Sequence, residues 1–284
     1  MSPASKHLYL LGNPVEHSIS PQMQNAALKF MGIDADYRAV LVKDDADLFQ
    51  KIKEFRSNDV IGFNVTVPFK EKVMRLLDSV DPSSKIIGAV NTVRNEKGIL
   101  SGSNTDTLGF IDSLKSDGCF DAKGKTCVIL GAGGASRALI FGLNYEKAKK
   151  ISVYDIDAEK ASDLISEISK YFKNVEQLAD REALKKEIGK ADLLVNATPV
   201  GMFPKTDLCP VDESFPIRKG LFVYDLVYNP PETKLVKLAR AKGAKAVTGL
   251  GMLVRQGAAS LEIWTGRKVP VDIMMAAAKK ALGC

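Results

Sequence analysis

Apolar positions along the chain switch between two periods, every second residue and every third or fourth, and the switches mark out alternating strands and helices. "KHLYLLG" reads as a strand, and "SPQMQNAALKFMG" reads as a helix with Ser20 as its N-cap and Pro21 at the first helical position. "DYRAVLV" alternates as a second strand, while "DDADLFQKIKEFRS" repeats its apolar residues at helical spacing. A third strand runs through Val60, Ile61, Phe63, Val65 and Val67 into Pro68. The rhythm breaks at "AVNTVRNEKGILSGSNTD", where "NEKG" between two apolar runs predicts a hairpin. Helix-separated strands with one hairpin predict a mostly parallel sheet with an antiparallel addition at one side.

The alternation restarts after Gly118, where "KGKTCVILGAGGASRALIFGL" carries an apolar run into a glycine cluster and straight on into a helix. "ISVYDID", "ADLLVNATPVG" and "LFVYDLVYNP" follow at the spacing of a doubly wound sheet. Two helical segments close the chain, "MLVRQGAASLEIWTG" and "VPVDIMMAAAKKAL", and Leu253, Ala258, Leu261 and Trp264 give the first of them an apolar face. The fold class predicted is α/β with two domains, an N-terminal one with a mostly parallel sheet and a doubly wound dinucleotide-binding (Rossmann) one.

Composition narrows the function. A chain of 284 residues with 45% hydrophobic content can fill two moderate cores. Cys119, Cys127, Cys209 and Cys284 lie far apart with no CxxC pair, and His7 and His17 are the only histidines, so no metal site is expected and the thiols read as reduced. "LYLLG" is too short for a signal-peptide core, and no stretch approaches the roughly 18 apolar residues of a membrane span, which predicts a cytoplasmic protein with no membrane partner. The net charge of +6 is spread along helices beside acids, as in "DDADLFQKIKEFR", an argument against nucleic acid as a partner. A modest positive surplus suits small anionic ligands such as a carboxylate or a pyrophosphate.

The glycine cluster is Gly131, Gly133 and Gly134, with Ser136 where the third glycine of GxGxxG would stand. Such glycines permit a tight turn and let backbone N–H groups and a helix N-terminus approach a pyrophosphate. Asp155 ends the next strand about twenty residues on, where NAD enzymes place an acid on the ribose 2′-hydroxyl. Lys70 follows Pro68 by two residues and, taken alone, reads as a solvated lysine as readily as a catalytic cation.

"HSISP", "NVTVPFK", "GAVNTV", "NTDTLGF", "GAGGASRA", "NATPVGM", "YNPPET" and "GLGMLVRQGA" together cover nearly the whole chain in an order that resembles the shikimate dehydrogenase family. The resemblance implies reversible reduction of the ketone of 3-dehydroshikimate to the 3-hydroxyl of shikimate by a nicotinamide cofactor, with the small-molecule substrate held between the domains. It implies a catalytic pair, Lys70 and Asp106, with Ser18 and Ser20 for the substrate carboxylate and Thr66, Asn91, Tyr228 and Gln256 as further polar contacts. The cofactor residues it implies are Gly131, Ala132, Gly133, Gly134, Ala135, Asp155, Thr198, Gly249 and Met252. The substrate domain then spans 1–106 and is completed by 249–284, whose helices fold back so that Gln256 reaches substrate; the Rossmann domain spans 107–248. A monomer or homodimer is expected. Hydride arrival builds negative charge on the carbonyl oxygen, so a cation such as Lys70 suits the site, and Asp106 can hold that cation.

Three departures from the family pattern stand out. Gln24 occupies a position that is histidine in many members, with no role in the chemistry expected, and Thr107 replaces the usual glycine after Asp106, which bears on the local backbone. "VYDID" stands where NADP-using members carry "NRT", with Ile156 at the arginine position and Asp157 suited to cap "AEKASDLISEI". The expectation is a preference for NAD, with NADP as the alternative because Lys160 can reach a phosphate from the first turn of the following helix. Quinate is the rival substrate, although Ser20 rather than threonine leans toward shikimate. Methylenetetrahydrofolate dehydrogenase is set aside because its Tyr-x-x-x-Lys catalytic spacing is missing from the first half of the chain. A non-catalytic dinucleotide sensor would keep the glycine turn and lose Lys70 and Asp106.

Overall fold

The computed structural model describes residues 6–284. Two compact units are formed: one holds the chain up to Gly109 together with Val254–Cys284, the other Phe110–Leu253. The chain passes between them within α4 (Asp106–Ser116) and within α9 (Leu250–Thr265).

In the first unit β1 (Lys6–Gly12), β2 (Ala35–Leu41) and β3 (Val60–Val65) alternate with α1 (Ser20–Phe30) and α2 (Asp45–Glu54). The α2 helix is specified locally. Asp44 accepts from the Asp47 N–H at 2.9 Å as N-cap, Leu48 and Ile52 form its buried face, and Lys51 and Lys53 sit in the last turn beside the negative end of the dipole. The α1 start differs by one residue from expectation: Ile19 is the N-cap, without a side-chain capping bond, and Ser20 is the first helical residue. A 3-10 turn (Lys72–Leu76), β4 (Ser79–Val80), α3 (Pro82–Ile87), β5 (Thr92–Glu96) and β6 (Ile99–Ser103) follow. The sheet order is β2-β1-β3-β5-β6-β4, with β1 parallel to β2 and β3, and β5 antiparallel to both β3 and β6. The hairpin falls where "NEKG" put it. The very short β4 and α3 carry too few residues to show a period, and the apolar pattern did not reveal them.

The C-terminal helices belong to this same unit. Trp264 of α9 donates its indole N–H to the Val93 carbonyl at 2.9 Å, Gln24 donates to the Gly257 carbonyl at 2.9 Å, and α10 (Val271–Leu282) packs on α1.

The second unit contains β7 (Thr126–Leu130), α5 (Gly134–Tyr145), β8 (Lys150–Tyr154), α6 (Ala158–Ile168), β9 (Val175–Gln177), α7 (Arg181–Ile188), β10 (Leu193–Asn196), β11 (Phe222–Asp225), α8 (Lys234–Ala241) and β12 (Lys245–Thr248). All six strands are parallel, in the order β12-β11-β10-β7-β8-β9. Helices on both faces explain why Val128, Ile129, Leu193, Leu194, Val195 and Val223 are wholly buried whichever way they point. The order reverses between β7 and β10, and in such sheets the crevice at the carboxyl ends of the strands there is the ligand position. Among the described residues, no helix is long and apolar enough to cross a membrane.

Candidate active site

β3 delivers the first side chain. Its buried Phe63 and Val65 fix the strand, the Thr66 N–H donates to the Leu11 carbonyl at 2.8 Å, and the chain turns at once, Phe69 N–H to Thr66 O at 3.0 Å. Phe69, 2% exposed, plugs this turn into the core and leaves Lys70 at its rim. The Lys70 carbonyl accepts from the Val90 N–H at 2.8 Å, which ties the turn to the segment carrying Asn91. Lys70 Nζ lies 2.6 Å from Asp106 Oδ2, with the two side chains only 14% and 6% exposed. Asp106 opens α4, where the helix dipole favours a carboxylate, and its own N–H donates to Asn104 Oδ1 at 3.0 Å.

Asn91 organises the rest. Its Nδ2 reaches Asp106 Oδ1 at 2.8 Å, Thr105 Oγ1 at 3.0 Å and Gln256 Oε1 at 3.3 Å, while its Oδ1 accepts from the Thr105 N–H at 2.8 Å and from Thr92 Oγ1 at 2.9 Å. Beneath lies a buried polar floor: Asn64 Nδ2 is 3.0 Å from the Asn91 carbonyl, Thr92 Oγ1 and Ser260 Oγ, and Ser260 donates to the Gln256 carbonyl at 2.9 Å. Tyr37 donates its hydroxyl to Asn64 Oδ1 at 2.8 Å, and burial raises its phenol pKa, so it stays a donor. Lys70, Asp106, Asn91 and Gln256 are thus brought together within the first unit. The sequence reading missed Tyr37, Asn64, Thr92, Thr105 and Ser260. Two signals were visible: Asn64 interrupts an apolar strand, and Ser260 falls one helical turn after Gln256.

Ser18 and Ser20 form a separate pair at the head of α1, where Ser18 Oγ accepts from the Ser20 N–H at 3.3 Å. Gln24 is wholly buried, its Nε2 on Gly257 and its Oε1 without a hydrogen-bond partner. Thr107 lies in the first turn of α4, where no left-handed backbone is required, so the missing glycine leaves the helix intact. Tyr228 belongs to the other unit, three residues past the end of β11.

In that unit the glycine turn joins β7 to α5. Gly131 has φ +99°, and a Cβ there would lie 3.0 Å from Thr198 Cγ2 and 3.1 Å from the Ala197 carbonyl, so both conformation and space require glycine. Gly133 is the N-cap of α5, and Gly134 and Ala135 begin the helix. Ser136 closes the turn by donating to the Gly131 carbonyl at 2.7 Å. Asp155 is anchored on the same turn, its Oδ2 accepting from the Ala132 N–H at 2.8 Å and its Oδ1 from the Asp157 N–H at 3.0 Å. Asp157 caps α6 through the Lys160 N–H at 3.1 Å, and Ile156 is 94% exposed. Gly249 directly precedes α9, and Met252 is packed into the core of this unit. The open turn, the helix N-terminus behind it and the adjacent Asp155 fit a dinucleotide.

Residues 10–93 match the family described as shikimate dehydrogenase substrate binding domain, and residues 249–279 that described as Shikimate 5'-dehydrogenase C-terminal domain. The chain is 43% identical over 268 residues to a shikimate dehydrogenase (NADP(+)) of Methanopyrus kandleri, covering 93% of this chain and 92% of that protein. It is similar to the crystal structure of shikimate 5-dehydrogenase from Thermus thermophilus in complex with NADP(H) and shikimate, with a TM-score of 0.86, 36% identity, and 98% and 100% of the two chains covered. The Listeria monocytogenes shikimate 5-dehydrogenase, in complex with shikimate and NAD, gives a TM-score of 0.85 at 34% identity over 96% of each chain.

Proposed function

The chain belongs to the shikimate dehydrogenase family, and from that premise we propose that it reversibly reduces 3-dehydroshikimate to shikimate with a nicotinamide cofactor, using Lys70 and Asp106 as its catalytic pair. It is an oxidoreductase. The unit that runs to Gly109 and resumes at Val254 carries the chemistry and most of the substrate contacts, and Phe110–Leu253, which include Gly249 and Met252, bind the dinucleotide, so the boundaries fall a few residues after the expected 106 and 248. The observation that carries this reading is the 2.6 Å contact between Lys70 and Asp106, enclosed and braced by Asn91.

When bound, the cofactor supplies or accepts the hydride. As the substrate ketone is reduced, negative charge grows on its oxygen, and the Lys70 ammonium is the donor that meets this charge. Asp106 holds the ammonium on that oxygen and accepts from the hydroxyl of shikimate. A charge pair so little exposed is held by its further hydrogen bonds, here from Asn91 Nδ2 to the free oxygen of Asp106. Ser18 and Ser20 take the substrate carboxylate, and Thr66, Tyr228 and Gln256 take its remaining polar groups.

Gly131 to Ala135 receive the pyrophosphate at the N-terminus of α5, with Thr198, Gly249 and Met252 completing the cofactor site. NAD is preferred. Asp155 and Asp157 put two carboxylates where a 2′-phosphate would add like charge, and exposed Ile156 supplies no cation between them. The NADP in the relatives' name sets the alternative, with Lys160 as its phosphate ligand; its Nζ lies 3.9 Å from where a Cβ on Gly133 would stand. Initial rates with shikimate and with quinate, each against NAD and NADP, test the reading. The highest kcat/KM is expected for shikimate with NAD. A higher value for quinate reassigns the substrate, and no reduced nicotinamide with either would make the protein a dinucleotide-binding sensor.

A further inference from the structure

Only two acidic side chains are buried among the described residues, Asp106 and Asp225, and the proposed reaction uses only the first. Asp225 ends β11 opposite Asn196, which ends β10, and both are wholly buried. Its Oδ1 accepts from Asn196 Nδ2 at 2.8 Å and from the Val227 N–H at 3.1 Å, and its Oδ2 accepts from Thr233 Oγ1 at 2.6 Å. Asn196 continues outward. Its Oδ1 accepts from the Thr198 N–H at 3.1 Å and from Thr198 Oγ1 at 2.6 Å, and the Thr198 hydroxyl in turn accepts from the Val200 N–H at 3.2 Å. Thr233 also caps α8 by accepting from the Val236 N–H at 3.2 Å.

One carboxylate therefore joins three segments: the loop after β10 through Asn196, the loop after β11 through Val227, and the start of α8 through Thr233. A carboxylate withdrawn from water is costly unless its lone pairs are met, so each of these three donors is bound to its place by the charge it satisfies. Desolvation pushes the Asp225 carboxyl pKa up, and the bonds from Thr233, Val227 and Asn196 pull against it. The first loop carries Thr198, whose methyl lies against Gly131, and the second carries Tyr228 next to Val227.

We propose that Asp225 is a positioning residue for both ligands, fixing the Thr198 loop against the glycine turn and setting the backbone that presents Tyr228. This rests on the reading that Thr198 serves the cofactor and Tyr228 the substrate. The test is steady-state kinetics of the full chain with shikimate and NAD, with the Kd for NADH taken separately from its fluorescence, for D225A, D225N and T198A. A folded D225A should raise the NADH Kd and the shikimate KM about tenfold each while kcat falls less than about threefold, the signature of lost ground-state positioning. D225N keeps an acceptor toward Asn196 and Val227 and should return both constants to within about threefold of the parent. Both constants within about twofold of the parent in folded D225A overturn the proposal. If D225A does not fold, N196S replaces it: it cuts only the branch to Thr198, so the NADH Kd should rise about fivefold and the shikimate KM stay within about twofold, and an unmoved Kd overturns the proposal. T198A scores the underlying reading separately. An unchanged NADH Kd there removes Thr198 from the cofactor site, whereas the D225A result still decides Asp225 through the shikimate KM.

Discussion

Lys70 holds its ammonium against Asp106 because three constraints fix its position: the buried end of β3, the Phe69 side chain plugged into the core, and the bond from the Val90 N–H to its own carbonyl. The side chain is thereby pre-placed, and in the proposed reaction its interaction with a developing alkoxide is made chiefly in the transition state. Lys70→Met should lower kcat by about 10²–10³-fold or more with a much smaller change in shikimate KM, measured by initial rates. Near-normal kcat would remove Lys70 from the chemistry. The cofactor choice is also a residue-scale matter. Asp155→Asn with Ile156→Arg should shift kcat/KM toward NADP, since relief of even ~2 kcal/mol of like-charge repulsion corresponds to roughly thirtyfold. Equal or better kcat/KM with NADP in the unmodified protein would defeat the proposed preference and leave the dehydrogenase assignment intact. The candidate site was legible at this scale only where a motif carried it. Asn64 and Ser260 were not singled out, because a polar residue within a strand or helix does not reveal which face will be buried or by what.

The elements show what holds α9 in place. A Cβ on Gly62 of β3 would fall 2.3 Å from Trp264 Nε1 and 2.4 Å from the Val93 carbonyl, which accepts the indole N–H. The absent side chain is what lets the indole lie across β3 to β5. Gly62→Ala should therefore displace Trp264 and cost about 1–3 kcal/mol in urea unfolding, with a raised shikimate KM because α9 also carries Gln256 and Ser260. An unchanged unfolding midpoint would show that the indole can move aside freely. In the amino-acid sequence Gly62 reads only as a weak point within a strand. The long elements were nevertheless legible, because a period of two or of three to four is written locally: β1, β3, β7, α2 and α5 fall where the apolar pattern puts them. Among the elements left unnamed, β4, α3, β9 and β12 run from two to six residues, too short for a period to emerge, whereas α4, α7 and α8, at eight to eleven residues, were implied only by the spacing between strands.

For the whole molecule, Asp225 links protonation to folding. Burial raises its carboxyl pKa above the unfolded value, so the folded chain holds this proton more tightly. The associated stability is fully present below the unfolded carboxylate pKa and is lost as pH rises through the higher folded value. Asp225→Asn removes that titration. The unfolding free energy of the parent minus that of the variant should fall with pH across this window, with a slope of at most about 1.4 kcal/mol per pH unit. Urea unfolding at a series of pH values measures it, and a difference that stays flat or rises with pH would show that hydrogen bonding outweighs burial at Asp225.

The alternation of strand and helix, the glycine turn before α5 and, through ordered motifs, the family were legible in the amino-acid order alone. These are written in residues near one another along the chain, where periodicity, capping and turn chemistry act. It took the folded chain to show that Gln24 meets Gly257, that Asn64 and Ser260 share a floor beneath Asn91, that Trp264 lies over Gly62, and that Asp225 binds three segments at once. The first three depend on how elements pack once the chain has returned to complete the first unit, and the last on strands and loops far apart in sequence within the second. A buried polar group shows its purpose only once the partners that satisfy it are in place, and no local pattern names those partners.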